Sequence, residues 1–147
     1  KYNDKGDQIL LSMKSDSLIK YGWNYNLNNL PACYLMGLLF GLEAKKHNIN
    51  EAILDIGLNL SIYGSSLYTV LKGIIDSGLN IPYDEKVLPN EDRIKGKHIL
   101  GYSLILKNQL EKHNKQFSSY ISKKVNPEDI VKKFDDVKQK ILMEYEK

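Results

Sequence analysis

Residues 51–60, EAILDIGLNL, constrain the fold more than any other stretch of the chain. Apolar side chains run almost without a break from Ala52 to Leu58, and Gly57 falls near the end of the run. Continuous apolarity over so few residues suits an interior strand covered on both faces. The pattern then changes period: Leu67, Val70, Leu71, Ile74 and Ile75 mark one face of a helix. Upstream, Leu30–Leu42 reads as a second, apolar helix that hands the chain into the strand. Helix, buried strand, loop and helix are the parts of an α/β layer structure. The loop 59–66 would open at the strand's carboxyl end, where such sheets bind ligands.

A chain of 147 residues is long enough to bury one proper core. Its single cysteine excludes a disulfide framework and points to a reducing compartment. The apolar stretch Leu30–Leu42 is shorter than the ~20 residues a membrane span needs, so no membrane partner is expected.

The net charge of +3 conceals an asymmetry. Residues 1–90 hold 8 basic against 9 acidic side chains, whereas residues 91–147 hold 13 against 9. Between Arg93 and Lys124 the balance is 8 against the single Glu111, with His98 and His113 beside them. Such a block is either the footprint of a polyanion-binding surface or simply a solvated lysine-rich face. Because 20 of the 21 basic residues are lysine, it favours diffuse phosphate contact over bidentate base reading.

In chain order, Asp4-Lys5-Gly6-Asp7 signals a turn, and Gln8–Ser15 alternates with Ile9, Leu11 and Met13 on one face. That is the second arm of a hairpin, and its first arm is expected to precede Lys1. Ser15–Asn29 is turn-rich yet carries Tyr21, Trp23 and Tyr25. These rings either stack on nucleic-acid bases or, for Trp23, tuck back on the core. Asn28 or Asn29 caps the next helix, with Pro31 in its first turn and Asn48 closing it. Gly37 and Gly41 let that helix approach another element closely, which in this reading is the sheet. Ser65 or Ser66 caps the helix Leu67–Ser77, whose start beside Gly64 is a candidate phosphate site. No Gly-Lys-Ser/Thr follows, so this is not a Walker loop. His98–Lys112 reads as one helix with Ile99, Tyr102 and Leu106 inward, and Lys115–Val125 as a basic connector. Asn126-Pro127-Glu128-Asp129 starts a last helix whose apolar stripe is Ile130, Phe134, Val137, Ile141 and Tyr145.

No H-x-x-x-H, cysteine pair or G-x-S-x-G occurs. Cys33 reads as a small buried side chain. The enzymatic alternative is a metal-dependent nuclease that gathers Asp55 and Asp76 with Asp4 or Asp7 around Mg²⁺. A third reading is a protein-interaction module that uses the C-terminal helix.

Three phrases carry a resemblance: YGWNYNLNNLPACYLMGLLFGLEAKK, EAILDIGLNLSIYGSSLYTVLKGIIDSGLNIPYDEKVLPNEDRIKGKHI, and the turn YNDKGD. They resemble the 5S rRNA-binding large-subunit ribosomal protein family L-eighteen. The run Val87–Ile99 matches the family's archaeal form, and the similarity covers roughly Tyr2–Tyr102. The resemblance implies a three-layer α/β/α fold with a mixed sheet, similar to ribonuclease H, and a helical C-terminal extension. It divides the chain into a core domain over residues 1–90 and a basic, mainly helical extension over 91–147. It implies no catalysis and no cofactor or metal, which lowers the nuclease reading, here of the ribonuclease H-like kind. The implied role is to anchor 5S rRNA in the central protuberance, against 23S rRNA and neighbouring ribosomal proteins. Two family features are absent here: a basic N-terminal segment with a first strand, and, from the bacterial form, an arginine near Ser65–Ser66.

Within that frame the loops supply the expected RNA contacts. Lys14, Lys20, Tyr21, Trp23 and Asn24 form one RNA-facing edge. Tyr63, Gly64, Ser65 and Ser66 offer hydroxyl and N–H groups to phosphate, and Arg93, Lys95, Lys97 and His98 touch RNA backbone.

Overall fold

A computed structural model of the chain describes residues 6–145. The longest helix is the centre of the molecule. Helix α1 (Leu30–Lys46) starts where Asn29 Oδ1 accepts the Ala32 N–H at 2.9 Å, with Pro31 in the first turn. It ends at His47, after which Asn48 turns left-handed with φ 59°. Apolar residues surround this helix on most sides, and it serves two cores accordingly.

One core lies between α1 and helix α2 (Ser66–Asp76), where Ala44, Tyr68, Leu71 and Ile74 meet Leu79 and Ile81. The two helices touch backbone to backbone. A Cβ built on Gly37 would lie 2.1 Å from Val70 O, and one on Gly73 would lie 2.2 Å from Tyr34 O. The close approach expected of Gly37 and Gly41 is therefore made on α2, not on a sheet.

The other core joins α1 to helices between residues 91 and 145 and to the segment before α1. Helix α3 (Glu91–Ile94) is capped by Asn90 and stopped by Gly96 at φ 82°. Helix α4 (Lys97–Leu106) follows, then α5 (Leu110–Gln116) and α6 (Ser118–Ser122). Asn126 Oδ1 accepts the Glu128 N–H and opens a 3₁₀ turn, Pro127–Asp129, that feeds α7 (Ile130–Tyr145). The expected stripe holds: Ile130, Phe134, Val137 and Ile141 are buried against α1 and the 3₁₀ helix Ser15–Tyr21, with Tyr145 half-buried.

Two expectations are corrected. The α/β/α fold with a mixed sheet is not found: among the described residues the chain is helical, and its β pairing is a single parallel bridge between Glu51 and Asn80. A strand needs a neighbour for its N–H and C=O groups. Beyond Ala52 N–H to Asn80 O and Asn80 N–H to Asn50 O, residues 51–60 find no pairing neighbour among the described residues, and their other backbone bonds are local turns such as Asn59 N–H to Ile56 O. Ile53 and Leu58 consequently face outward, 87% and 105% exposed. Gln8–Ser15 forms no strand either, and Ile9 is exposed; the turn at Asp4–Asp7 lies largely outside the described residues. The second correction is the single helix over His98–Lys112. It breaks at residues 107–109, where Gln109 leaves helical geometry (φ −123°, ψ 71°), and α5 folds back so that His113 Nε2 sits 3.1 Å from Ser103 Oγ.

Candidate nucleic-acid interface

Positive charge with no acid to meet it defines the surface of interest. Within residues 93–124, Lys95 reaches Glu91 at 3.9 Å, Lys97 reaches Asp92 at 2.6 Å and Lys107 reaches Glu128 at 3.2 Å. Arg93, Lys112, Lys115, Lys123 and Lys124 are all exposed and have no ion-pair partner among the described residues. A structural lysine is normally paired or lies along apolar surface; five exposed, unpaired cations between residues 93 and 124 leave a field for an anionic partner.

The expected contacts fall into three groups. At the first edge Lys14 and Lys20 are exposed on the 3₁₀ helix Ser15–Tyr21 and at its start, and Asn24 is exposed beyond it. Tyr21 is half-buried, and desolvation together with Glu144 pushes its hydroxyl up to about 12. Trp23 is not presented at all: it is 1% exposed, packs 5.4 Å from Tyr25, and donates from Nε1 to Asn26 O at 3.2 Å. A base cannot stack on a ring so enclosed, so its place is the core. Tyr25 is buried too, its hydroxyl donating to Asn126 O at 2.6 Å.

At the start of α2, Tyr63 is 66% exposed. The Gly64 N–H is taken by Val87 O at 2.9 Å and the Ser65 N–H by Ile62 O at 3.2 Å. Ser65 is the N-cap but caps nothing with its side chain, and its Oγ is buried without a partner among the described residues. The helix start thus keeps only its first-turn N–H groups, with the exposed Ser66 beside them. Cys33 is half-buried rather than enclosed, its thiol raised by burial.

In the third group Arg93 stands free on α3, while Lys95 and Lys97 are engaged by acids as described. His98 projects from the start of α4 into a cavity of ≈ 430 Å³. Partial desolvation, with the Arg93 charge as a second cause, lowers its pKa.

Tertiary packing adds two residues that no loop pattern marks. Lys133 and Lys140, seven apart on α7, bring their ammonium groups to Gly22: a Cβ there would lie 3.6 Å from one Nζ and 3.8 Å from the other. Lys20 is exposed two residues before Gly22, on the 3₁₀ helix that Gly22 ends. The seven-residue spacing was visible in the sequence as one helix face; what it faced was not.

The features of the rival readings are otherwise occupied. Asp55 Oδ1 accepts the Gly57 N–H at 2.8 Å, and Asp76 holds Tyr34 Oη at 2.8 Å and Lys72 Nζ at 2.6 Å. No group of His, Cys, Asp and Glu placed to hold a metal ion exists among the described residues. The apolar stripe of α7 is covered by the chain's own core. No helix among the described residues is long and apolar enough to cross a membrane.

No family model matches the chain. Among curated proteins, it is 42% identical over 141 residues to the large ribosomal subunit protein uL18 of Methanococcus maripaludis, covering 96% of this chain and 73% of that relative.

Proposed function

Because the chain belongs to the uL18 family of large ribosomal subunit proteins, a structural and non-catalytic family, we propose that it binds 5S rRNA and anchors it in the central protuberance against 23S rRNA and neighbouring ribosomal proteins. The observation that carries this reading is the set of cations without acid partners among the described residues: Arg93, Lys112, Lys115, Lys123 and Lys124, all exposed, with Lys133 and Lys140 at Gly22 and the exposed Lys20 two residues before it. Lysine, a compact point charge, suits phosphate rather than base edges. Lys14, Asn24, Tyr63 and Ser66 belong to the same contact set as exposed polar groups, Lys95, Lys97 and His98 as its flank. Gly64 and Ser65 shape the loop that presents them. Trp23 supports the surface from beneath.

Gel-shift titration with transcribed 5S rRNA tests the reading. If these eight cations each neutralise one phosphate, log affinity falls against log salt with a slope of about −5.6 to −7.2. Affinity that is insensitive to salt, or equal for an unrelated RNA of the same length, would overturn it.

A further inference from the structure

The cavity beside His98 is built unlike the charged surface around it. Residues 98 and 102 lie four apart on α4 and so share a face, which supplies His98 and Tyr102, with Ile99 between them. Gln116 ends α5, Phe117 makes the turn, and Ser119 and Tyr120 come from α6; Asn26 closes the cavity from the loop before α1. The volume, ≈ 430 Å³, is that of a small-ligand site.

Its floor is aromatic. Phe117 and Tyr120 are 6% and 5% exposed and lie near-parallel, centroids 5.8 Å apart. Tyr102, 6.4 Å from Phe117, lines the cavity and is 46% exposed. The rim is polar and uncharged. Ser119 Oγ donates to Asn26 Oδ1 at 3.0 Å, which leaves Asn26 Nδ2 as a spare donor. The Gln116 amide has no partner among the described residues, and no Asp, Glu, Lys or Arg lines the cavity. Cations stand instead on or next to the segments that form its walls: Arg93 before α4, Lys112 and Lys115 on α5, Lys123 after α6.

A neutral pocket of rings and amides, with cations on and next to the segments that wall it, matches the two halves of a nucleotide, whose base needs a π-face and paired donors and acceptors and whose phosphates need positive charge. We propose that this cavity receives one unstacked base of ribosomal RNA, laid against Tyr102 and read at its edge by Asn26 and Gln116, while the flanking phosphates meet the wall lysines. The proposal deepens the rRNA-binding reading and rests on it. An acidic peptide would use the lysines and leave the amides and rings idle, whereas a cationic ligand finds no carboxylate here.

The test uses the full chain, isotope-labelled, titrated with hexa-adenylate, hexa-uridylate and an abasic hexamer of equal phosphate content. The side-chain amide signals of Asn26 and Gln116 should shift saturably with a base-bearing hexamer and stay in place with the abasic one. Equal shifts with the abasic hexamer, or none with any hexamer, would overturn the proposal; this arm needs no variant and so does not depend on one folding. In parallel, Tyr102→Ala should weaken binding about 5- to 150-fold, the loss of one stacked base, and Tyr102→Phe should restore it. Measuring 5S and 23S rRNA separately identifies which of them supplies the base. If the wild type binds rRNA with its salt slope intact but Tyr102→Ala binds both RNAs equally well, the pocket assignment fails and the rRNA reading stands. If the wild type binds neither RNA, the rRNA reading fails, and the hexamer titration alone decides the pocket.

Discussion

Replacing Gly37 by alanine is the sharpest perturbation this structure offers. In an ordinary helix interior the change stabilises, since alanine exceeds glycine by about 0.5–1 kcal/mol in helix propensity. Here the new methyl would lie 2.1 Å from Val70 O, 2.9 Å from Val70 C and 3.0 Å from Val70 Cα. All three are backbone atoms of α2, so no side chain can swing aside. Helices α1 and α2 must part by about 1 Å, loosening the core of Ala44, Tyr68, Leu71 and Ile74 between them. Overpacking of this kind costs about 1–3 kcal/mol and sometimes more. Backbone clash places Gly37→Ala at the upper end, a net loss of about 2–3 kcal/mol after the propensity gain. At roughly 2–4 °C per kcal/mol for a chain of this size, the thermal midpoint should fall by about 5–10 °C. Gly101→Ala is the matched control: Gly101 also lies inside a helix, α4, but has nothing within 4 Å of its would-be Cβ. It should raise stability by about 0.5–1 kcal/mol. Thermal and urea unfolding followed by far-UV circular dichroism gives both signs. Should Gly37→Ala melt at or above the wild-type temperature, the tight crossing of α1 on α2 would be refuted.

Other substitutions probe the remaining assignments. Trp23→Ala should cost about 3–5 kcal/mol of stability and leave 5S rRNA affinity unchanged below its own midpoint; lost affinity at full stability would return Trp23 to the surface. Lys133→Gln with Lys140→Gln should flatten the log–log salt slope of 5S binding by about 1.4–1.8, which gel shifts at several salt concentrations would register. An unchanged slope would remove the Gly22 cluster from the interface. For His98, whose pKa in the fold lies below its ordinary 6.5, the unfolded chain binds the proton more readily. Its contribution is therefore intact above about pH 6.5 and lost as pH falls through the lower folded value. His98→Gln should shrink the drop in thermal midpoint on acidification below pH 6.5, and an identical pH profile would count against the desolvated imidazole.

What the sequence determined by itself were features whose cause is local. Asn29, Pro31 and Asn48 bound α1, Asn90 and Gly96 bound α3, and Asn126-Pro127 opens the turn into α7, because caps and left-handed turns are chemistry within four residues. The 3.6-residue stripe of α7 was legible for the same reason, and so was the charge asymmetry, which needs only counting. Three matters were left to the tertiary structure. The run EAILDIGLNL carries an apolar pattern that suits a strand, but a strand exists only when a neighbour takes its hydrogen bonds, and beyond the Glu51–Asn80 bridge the described residues supply none. Trp23 could face a base or the core until Leu18, Tyr25 and Asn26 enclosed it. The cavity under Tyr102 joins residue 26 to residues 98–120, and the lysine pair at Gly22 joins residue 22 to 133 and 140. Such sites are made by distant segments meeting, and no short-range pattern records which segments will meet.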